Sequence, residues 1–363
     1  MSSGSYKKEK EEESLERSGI EYLLRLNKKH SQLFQADALN REQYRALHPT
    51  EIGAMKCMDG RIHLPVITKT PLGIIQSWRN IGGRFNLGWY GYQASVWDWI
   101  HYSMSRGRNC LIIITDHYSR GSKHRGCRGF DYDEKAAQSF CRGLREQFDH
   151  VFGSNIIYTI QCSVETDEEA LVFRSKDNGH FLNLAVFGGS VDDLRKELRD
   201  LYPDMPNTTL GDLLHLAIGN ISHIVEIRKA KRSVAEAEHK EFILAIGRGY
   251  DWLHEINTAL IVGPFDDNIA GVIKAAANII KSNLDNGKIS SHRGAVLMSS
   301  ASFRESGPNQ RLAEEKAKYL ARMGLDVIRS KVPELLPHLH ILTATMNMET
   351  RGLNVLDRSD SRS

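Results

Sequence analysis

The run Cys110-Leu-Ile-Ile-Ile-Thr115, followed at once by Asp116 and His117, is the stretch on which the fold assignment depends. A short, continuous apolar run is typical of a strand that is buried on both faces of a sheet. Apolar residues recur at helical spacing before it, at residues 94–104, and after it, at residues 133–148. This alternation of strand and helix predicts an α/β fold in which helices cover both faces of the sheet.

The same rhythm extends in both directions along the chain and suggests how the 363 residues are organised. Further strands are predicted at residues 52–57, 74–78, 156–163, 242–246, 259–262 and 294–299, and further helices at residues 269–284 and 312–323. The predicted divisions are a disordered charged tail at residues 1–18, a helical arm at 19–49, a first α/β domain at 50–221 and a second at 222–363. The second domain contains no cysteine.

The bulk composition excludes several classes of function. Lysine and arginine number 48 against 45 aspartates and glutamates, so the net charge of +3 gives no reason to expect binding to nucleic acid or to a membrane surface. No segment is apolar and long enough for a membrane span or a signal peptide. The five cysteines are an odd number and unevenly spread, which argues against a secreted disulfide framework. We therefore expect an intracellular protein.

Two clusters of ligating side chains follow predicted strands. Lys56-Cys-Met-Asp-Gly-Arg-Ile62 closes one strand, and the loop from Thr115 to Cys127 closes another. Sites in open α/β sheets lie at the carboxyl ends of strands, so the two clusters are expected to meet. Cys57, an imidazole and Cys127 form a donor set that suits Zn²⁺ and leaves the fourth tetrahedral position open, as in a catalytic site.

Asp59 and Arg61 add a feature that a structural zinc site would not need. A carboxylate and a guanidinium two residues apart can pair through two hydrogen bonds beside the metal. Taken alone, Cys57 and Cys127 would be read as buried core thiols, the ordinary role of intracellular cysteine. The combination with the Asp–Arg pair and a strand-ending histidine favours zinc. The cysteines that keep the core assignment are Cys110, Cys141 and Cys162.

Several of these segments resemble the β-class carbonic anhydrases. Cys57-Met-Asp-Gly-Arg61 resembles their first zinc motif, in which the cysteine binds zinc and the Asp–Arg pair stands beside it. Trp78-Arg-Asn-Ile-Gly-Gly83 is similar to the glycine-containing segment after their second strand, and Ala94-Ser-Val-Trp97 resembles the helix before the third. Cys110 to His117 resembles the strand that ends in the zinc histidine. The likeness covers about residues 50–165 and is weaker beyond.

The distance between the histidine and the second cysteine departs from the common family pattern, in which two residues separate them. His117 lies ten residues before Cys127, whereas His124 keeps the short spacing. Together with Gly60, the lengthened loop resembles the divergent carboxysomal shell branch of the class. We favour His117, because a ligand at a strand end is held by the sheet, while His124 lies in a loop rich in Ser, Gly, Lys and Arg. His124 remains the alternative ligand.

The resemblance implies one Zn²⁺ per chain and reversible hydration of CO2 to bicarbonate by zinc-bound hydroxide. Asp59, fixed by Arg61, would accept a hydrogen bond from the hydroxide and orient its lone pair. Arg79 and Gly82 would shape the pocket for CO2. Candidates for proton transfer to solvent are His63, His101 and His124.

Two alternative functions remain open. A hydrolase of CS2 or COS would use the same fold and the same metal chemistry, and the width of its pocket would distinguish it. A zinc-binding scaffold or assembly component with weak turnover would be the non-enzymatic alternative. The Asp59–Arg61 pair argues against the scaffold, since assembly does not require it.

The resemblance also carries expectations about the second domain and about partners. In the carboxysomal branch a second half mimics the catalytic fold but has lost its metal site, which would suit the cysteine-free region. The family builds its active site where two such folds meet, so an internal pseudo-dimer or a homo-oligomer is implied. A cytoplasmic location is expected, either free or with carboxysome components inside a microcompartment.

Overall fold

The apolar runs of the sequence form the strands of two sheets in a computed structural model of the chain, which describes residues 18–153, 156–177, 179–231, 238–253, 255, 257–290 and 292–359. The described residues fall into two units. The first unit is drawn from Asp37–Glu238 and Phe265–Asp267, and the second unit from Met1–Ala36, His239–Pro264 and Asn268–Ser363.

Strands and helices alternate over residues 50–165 and again over residues 259–347, as the predicted α/β pattern requires. In chain order the strands are β1 (Thr50–Cys57), β2 (Ile75–Asn80), β3 (Asn109–Tyr118), β4 (Ile157–Glu165), β5 (Ala170–Arg174), β6 (Phe181–Asn183), β7 (Ile243–Gly247), β8 (Ala259–Val262), β9 (Ala295–Phe303), β10 (Leu339–Asn347) and β11 (Leu353–Ser359). The α-helices are α1 (Gly19–Ala36), α2 (Ala38–Leu47), α3 (Leu64–Ile67), α4 (Tyr90–Met104), α5 (Glu134–Phe152), α6 (Val191–Leu201), α7 (Asn207–Ala230), α8 (Ile269–Asp285) and α9 (Pro308–Lys331).

The first unit is built on a six-stranded sheet in the order β2-β1-β3-β4-β5-β6. Strands β2, β1, β3 and β4 run parallel, and β5 and β6 are antiparallel additions at one edge. Because parallel strands are joined by crossover helices, α4 leads from β2 to β3 and α5 leads from β3 to β4. The α/β class predicted from the sequence is confirmed.

Strand β3 is buried on both faces, as its apolar run predicts. Ile112 and Ile114 pack with residues of α4 and α5, including Ile100 and Phe148, in one apolar cluster. Alternate residues such as Ile113 point to the opposite face, and α7 lies against β1 and β3. Each isoleucine buried in this way contributes about 1.5–3 kcal/mol. Helices on both faces of the sheet therefore hold the end of β3, where the loop that leads to Cys127 begins.

The second unit has a five-stranded sheet in the order β11-β10-β9-β7-β8. Strands β8, β7, β9 and β10 run parallel, and β11 is antiparallel at the edge. Helix α8 leads from β8 to β9 and α9 leads from β9 to β10. The order, strand directions and connecting helices therefore correspond to those of β2-β1-β3-β4-β5 in the first unit.

The helical arm predicted at residues 19–49 is divided between the two units. Helix α1 belongs to the second unit, where Asn27 Nδ2 donates to Arg351 O at 2.8 Å and Ser31 Oγ donates to Thr350 O at 2.7 Å. Helix α2 belongs to the first unit, where its end is held by Arg108, whose Nη2 donates to His48 O at 2.6 Å. Contacts between residues so far apart in sequence are not visible in a local helical pattern.

Two other predicted boundaries differ from the structure or lie outside it. The division predicted after residue 221 falls inside α7, and the described chain changes unit only at Glu238. Apart from Ser18, the charged tail predicted at residues 1–18 lies outside the described residues. None of the helices in the described part of the chain combines the length and the apolar character that a membrane span requires.

Candidate metal centre

Cys57 and His117 are brought together by two neighbouring parallel strands. Cys57 is the last residue of β1, and His117 is the last but one of β3. Parallel strands end at the same edge of a sheet, so both side chains reach the carboxyl edge predicted for the site. A side-chain bond from Thr115 Oγ1 to Met55 O, 3.0 Å long, ties the two strands together just before the ligands.

Cys127 reaches the same place from the loop between β3 and α5. It precedes a single 3₁₀ turn, Arg128–Phe130, and its carbonyl accepts hydrogen bonds from Phe130 N at 3.1 Å and Tyr132 N at 3.0 Å. Helix α5 begins directly afterwards, where the Asp133 carboxylate accepts a hydrogen bond from Ala136 N at 3.0 Å and so caps the helix. The second cysteine is thus held by a closed turn and by the start of a helix.

The three side chains form a group that can hold a metal ion. One ligand atom each from Cys57, His117 and Cys127 lies within 4.8 Å of the others, and all three residues are buried. Neighbouring ligand atoms around a tetrahedral zinc are roughly 3.5–3.8 Å apart, so one ion can span this set. Two thiolates and an imidazole also suit zinc chemically.

The surroundings of His117 are those expected of a metal ligand. Its side chain is only 1% exposed, yet neither ring nitrogen has a hydrogen-bond partner within the described part of the chain. A buried polar atom left without a partner costs about 1–3 kcal/mol. A metal bound between the two cysteines would satisfy one of these nitrogens, so the residues present fit a zinc ion.

The thiols of Cys57 and Cys127 have pKa values shifted in opposite directions. The Cys127 thiol donates to the Cys57 sulfur, and this contact holds the pKa of Cys57 well below its ordinary value despite burial. The same contact, together with burial, raises the pKa of Cys127 well above its ordinary value. Two adjacent sulfurs share a proton in this way because two thiolates would repel each other. A divalent cation would remove that repulsion.

Asp59 and Arg61 form the predicted bidentate pair. Arg61 Nε donates to Asp59 Oδ1 at 3.0 Å, and Arg61 Nη2 donates to Oδ2 at 2.6 Å. The backbone N–H of Arg61 adds a third bond to Oδ1 at 2.9 Å. Asp59 Oδ2 lies 3.8 Å from His117 Nε2, so the pair stands beside the ligand group. Both side chains are buried, which makes the pair far less screened than one at the surface.

Arg79 lies against the loop that carries this pair. Its guanidinium donates to the carbonyls of Asp59 at 3.3 Å and Ile62 at 2.9 Å, and it lies 3.1 Å from His63 Nδ1. Burial lowers the pKa of Arg79 to about 10, which leaves it charged at neutral pH. The structure therefore places Arg79 where it fixes the backbone of the Asp59–Arg61 loop.

Gly82 occupies a turn that only glycine adopts easily. The 3₁₀ turn Ile81–Gly83 follows β2, and both Gly82 and Gly83 have positive φ angles, of 63° and 65°. A Cβ on Gly82 would lie 2.9 Å from the ring of Phe130, in the turn that follows Cys127. Gly82 thus permits two site loops to pack closely.

Lys56, the first residue of the quoted motif, was not predicted to take part in the site. It precedes Cys57 in β1, is fully buried, and its Nζ lies 3.4 Å from Ile62 O, the carbonyl that also accepts from Arg79. Burial, followed by the charge of Arg79, holds the pKa of Lys56 well below its ordinary value. A lysine directly after the apolar run of residues 52–55, at the end of a predicted strand, was the available signal.

The remaining histidines lie in different environments. His124 is exposed, and its ring packs edge-on against Tyr132 at a centroid distance of 5.5 Å. His101 is exposed on α4 beside Trp97. His63 is buried, with Nε2 3.0 Å from Gly60 O and Nδ1 facing Arg79. The structure therefore gathers His117, and not His124, with the two cysteines.

Comparison with known proteins adds no assignment to this geometry. No protein-family model matches the chain, and no curated protein matches its sequence at a significant level.

Proposed function

We propose that the protein is a zinc-dependent enzyme that catalyses the reversible hydration of CO2 to bicarbonate, as its resemblance to the β-class carbonic anhydrases implies. The observation that carries the proposal is the buried Asp59–Arg61 pair beside three converging ligands. Cys57, His117 and Cys127 would hold the metal and leave one position open. A site that served only to stabilise the fold would need neither the open position nor the paired carboxylate.

The metal would supply the nucleophile. Zinc bound by two thiolates and an imidazole would lower the pKa of a coordinated water from about 16 to about 7, which makes hydroxide available at neutral pH.

The protein's own residues would orient that nucleophile. Three hydrogen bonds from Arg61 fix the Asp59 carboxylate, so it cannot turn without losing charge-assisted bonds. Asp59 would accept a hydrogen bond from the attacking oxygen and direct its lone pair toward CO2. Arg79 would keep the loop in place through the carbonyls of Asp59 and Ile62.

The test is stopped-flow CO2 hydration by the zinc-loaded protein, with Cys57→Ala and Asp59→Asn measured alongside. We expect Cys57→Ala to lose zinc and activity together. Asp59→Asn keeps the size of the side chain but removes its charge, and it should retain zinc while turnover falls about 10–100-fold. The matched control is Cys110→Ser, which alters a buried cysteine at the opposite end of β3 and should keep zinc and turnover.

The outcomes separate the alternatives. If the zinc-loaded protein hydrolyses CS2 or COS but not CO2, the proposed substrate is wrong and the proposed metal centre is retained. Zinc binding without turnover of any of the three would favour the scaffold. Full CO2 hydration by Asp59→Asn would remove Asp59 from the mechanism.

A further inference from the structure

The turn that joins β4 to β5 holds the loop between the two ligand-bearing segments. The acidic turn, residues 165–169, lies beside the ligand loop, residues 119–126, which separates His117 from Cys127. Its first contact is at the exit from β3, where Thr166 N donates to Tyr118 O at 2.9 Å. The two segments are more than 40 residues apart in sequence, yet hydrogen bonds and ion pairs run along their contact.

Asp167 makes the contacts that span the ligand loop. Its carboxylate accepts hydrogen bonds from Ser119 Oγ at 2.9 Å and from Gly121 N at 2.7 Å, at the start of the loop. It also pairs with Arg125 Nη2 at 3.4 Å, at the end of the loop and two residues before Cys127. One carboxylate therefore fixes the distance between the two halves of the loop.

Arg125 connects Asp167 to the Asp59–Arg61 pair. Its side chain is largely buried, and its backbone carbonyl accepts a hydrogen bond of 2.8 Å from Arg61 Nη2. The same Nη2 donates to Asp59 Oδ2. A continuous series of contacts thus runs from Asp167 through Arg125 and Arg61 to Asp59.

The other carboxylates of the acidic turn have different roles. Glu165 is buried and orders the turn itself, since it accepts hydrogen bonds from Asp167 N at 3.1 Å and Glu168 N at 3.0 Å, and it reaches only the start of the ligand loop, where Arg120 N donates to it at 3.2 Å. Glu168 pairs with Arg120 at 2.6 Å and Arg228 at 2.8 Å, both of which are exposed. Exposed pairs of this kind contribute little. Asp167 is the carboxylate whose contacts lead into the site.

We propose that Asp167 is a positioning residue for the metal centre, which holds the ligand loop so that Cys127 and the Asp59–Arg61 pair keep their places. The inference rests on the metal centre and extends the proposed function, but its test does not depend on CO2 turnover. Partners behind the ligands of a metal commonly set its affinity, and their loss weakens binding or activity about 10–100-fold.

The charge state of Asp167 agrees with this role. Burial raises its pKa, but the Gly121 N–H, the Ser119 hydroxyl and the Arg125 guanidinium together outweigh burial and bring the pKa below its ordinary value. Asp167 is therefore a carboxylate at neutral pH and can keep its pairing with Arg125.

The experiment compares Asp167→Asn with a matched control elsewhere in the first unit. Asp177 also accepts hydrogen bonds from a serine hydroxyl, Ser175 Oγ at 2.5 Å, and from a glycine N–H, Gly179 N at 3.0 Å, but in the turn between β5 and β6. Asp177→Asn therefore makes the same chemical change outside the contact with the ligand loop. The full-length protein would be loaded with zinc, and release to a chromogenic chelator would be timed.

We expect zinc release from Asp167→Asn to be about 10–100-fold faster than from the wild type, while Asp177→Asn stays within about 2-fold. In cobalt-loaded protein the absorption bands of the metal should shift in Asp167→Asn only, a signature that general destabilisation would not produce. Because neither readout needs CO2, a failure of the proposed activity would leave this test intact.

Two results would overturn the role of Asp167. Wild-type release rates and cobalt spectra in both Asp167→Asn and Asp167→Ala would show that the loop does not depend on this carboxylate. Equal acceleration in Asp177→Asn would show that any loosened turn has the same effect. Should Asp167→Ala fail to fold, the near-isosteric Asp167→Asn still decides the question.

Discussion

At the scale of single residues, the candidate metal centre depends on which of two histidines, His117 or His124, lies beside the two cysteines. His117 is held by β3, is buried, and lies with the sulfurs of Cys57 and Cys127. His124 has the shorter sequence spacing to Cys127, but it is exposed and packs against Tyr132. A ligand held by the sheet loses less conformational entropy on binding a metal than one in an exposed loop.

We therefore expect His117→Ala to lose most of its bound zinc, and His124→Ala to retain close to one zinc per chain. Metal content after gel filtration measures this directly. The two variants are controls for each other, since each removes one imidazole from the same stretch of chain. Zinc retained by His117→Ala and lost from His124→Ala would reverse the ligand assignment.

The sequence predicted the residues whose chemistry is visible in a motif and missed those defined by distant contacts. Cys57, His117 and Cys127 come together as expected, and Asp59 pairs with Arg61. Asp167 carried no local signal, because its partners Ser119 and Gly121 are 48 and 46 residues away. Lys56 contradicts the rule that a buried strand position is apolar, so its burial was not predicted.

At the scale of elements, the glycine turn after β2 sets how closely the site segments approach. Gly83 has a φ angle of 65°, and a Cβ added to it would lie 3.1 Å from Thr115 O and 3.7 Å from Cys57 N. The turn therefore packs against the backbone of Cys57, the first of the three candidate metal ligands. The sequence placed this segment near the site through resemblance, but it did not reveal the positive φ angles.

We expect Gly83→Ala to destabilise the protein by about 1 kcal/mol more than Gly107→Ala, the lower end of the usual cost of overpacking. Gly107 has a nearly identical φ of 66° but open space around it, so both variants share the cost of about 1–2 kcal/mol for left-handed backbone. Only Gly83→Ala adds a tight contact, 3.1 Å between the new Cβ and Thr115 O of β3. Urea unfolding would measure the difference in stability, and zinc content should fall in Gly83→Ala alone. Equal losses of stability in the two variants would show that the close approach of Gly83 to Thr115 O does not matter.

At the scale of the whole molecule, two sheets share one strand order, and the ligand set occurs in the first. Gly247 ends β7 as Cys57 ends β1, and it lies opposite Ser300 of β9. In the first sheet Met55 lies opposite Ile114, so Cys57 is level with Asp116, directly before His117. The corresponding residue after Ser300 is Ala301, which offers no ligand atom. The repeated pattern of strands and helices in the sequence predicts this likeness between the two sheets.

The assignment of α1 shows the limit of sequence reasoning at this scale. Its apolar spacing predicted a helix correctly, yet its unit is decided by bonds such as Asn27 to Arg351, 324 residues apart. Local periodicity specifies that an element exists, whereas the residues it meets across the fold decide where it belongs.

The most direct test of the metal centre is zinc-edge X-ray absorption on the full-length, zinc-loaded protein, combined with its metal content. We expect about one zinc per chain, with two sulfur ligands at about 2.3 Å and nitrogen or oxygen ligands at about 2.0–2.1 Å. A sulfur-free zinc, four sulfurs, or no retained zinc would contradict the assignment of Cys57, His117 and Cys127 as an open metal centre.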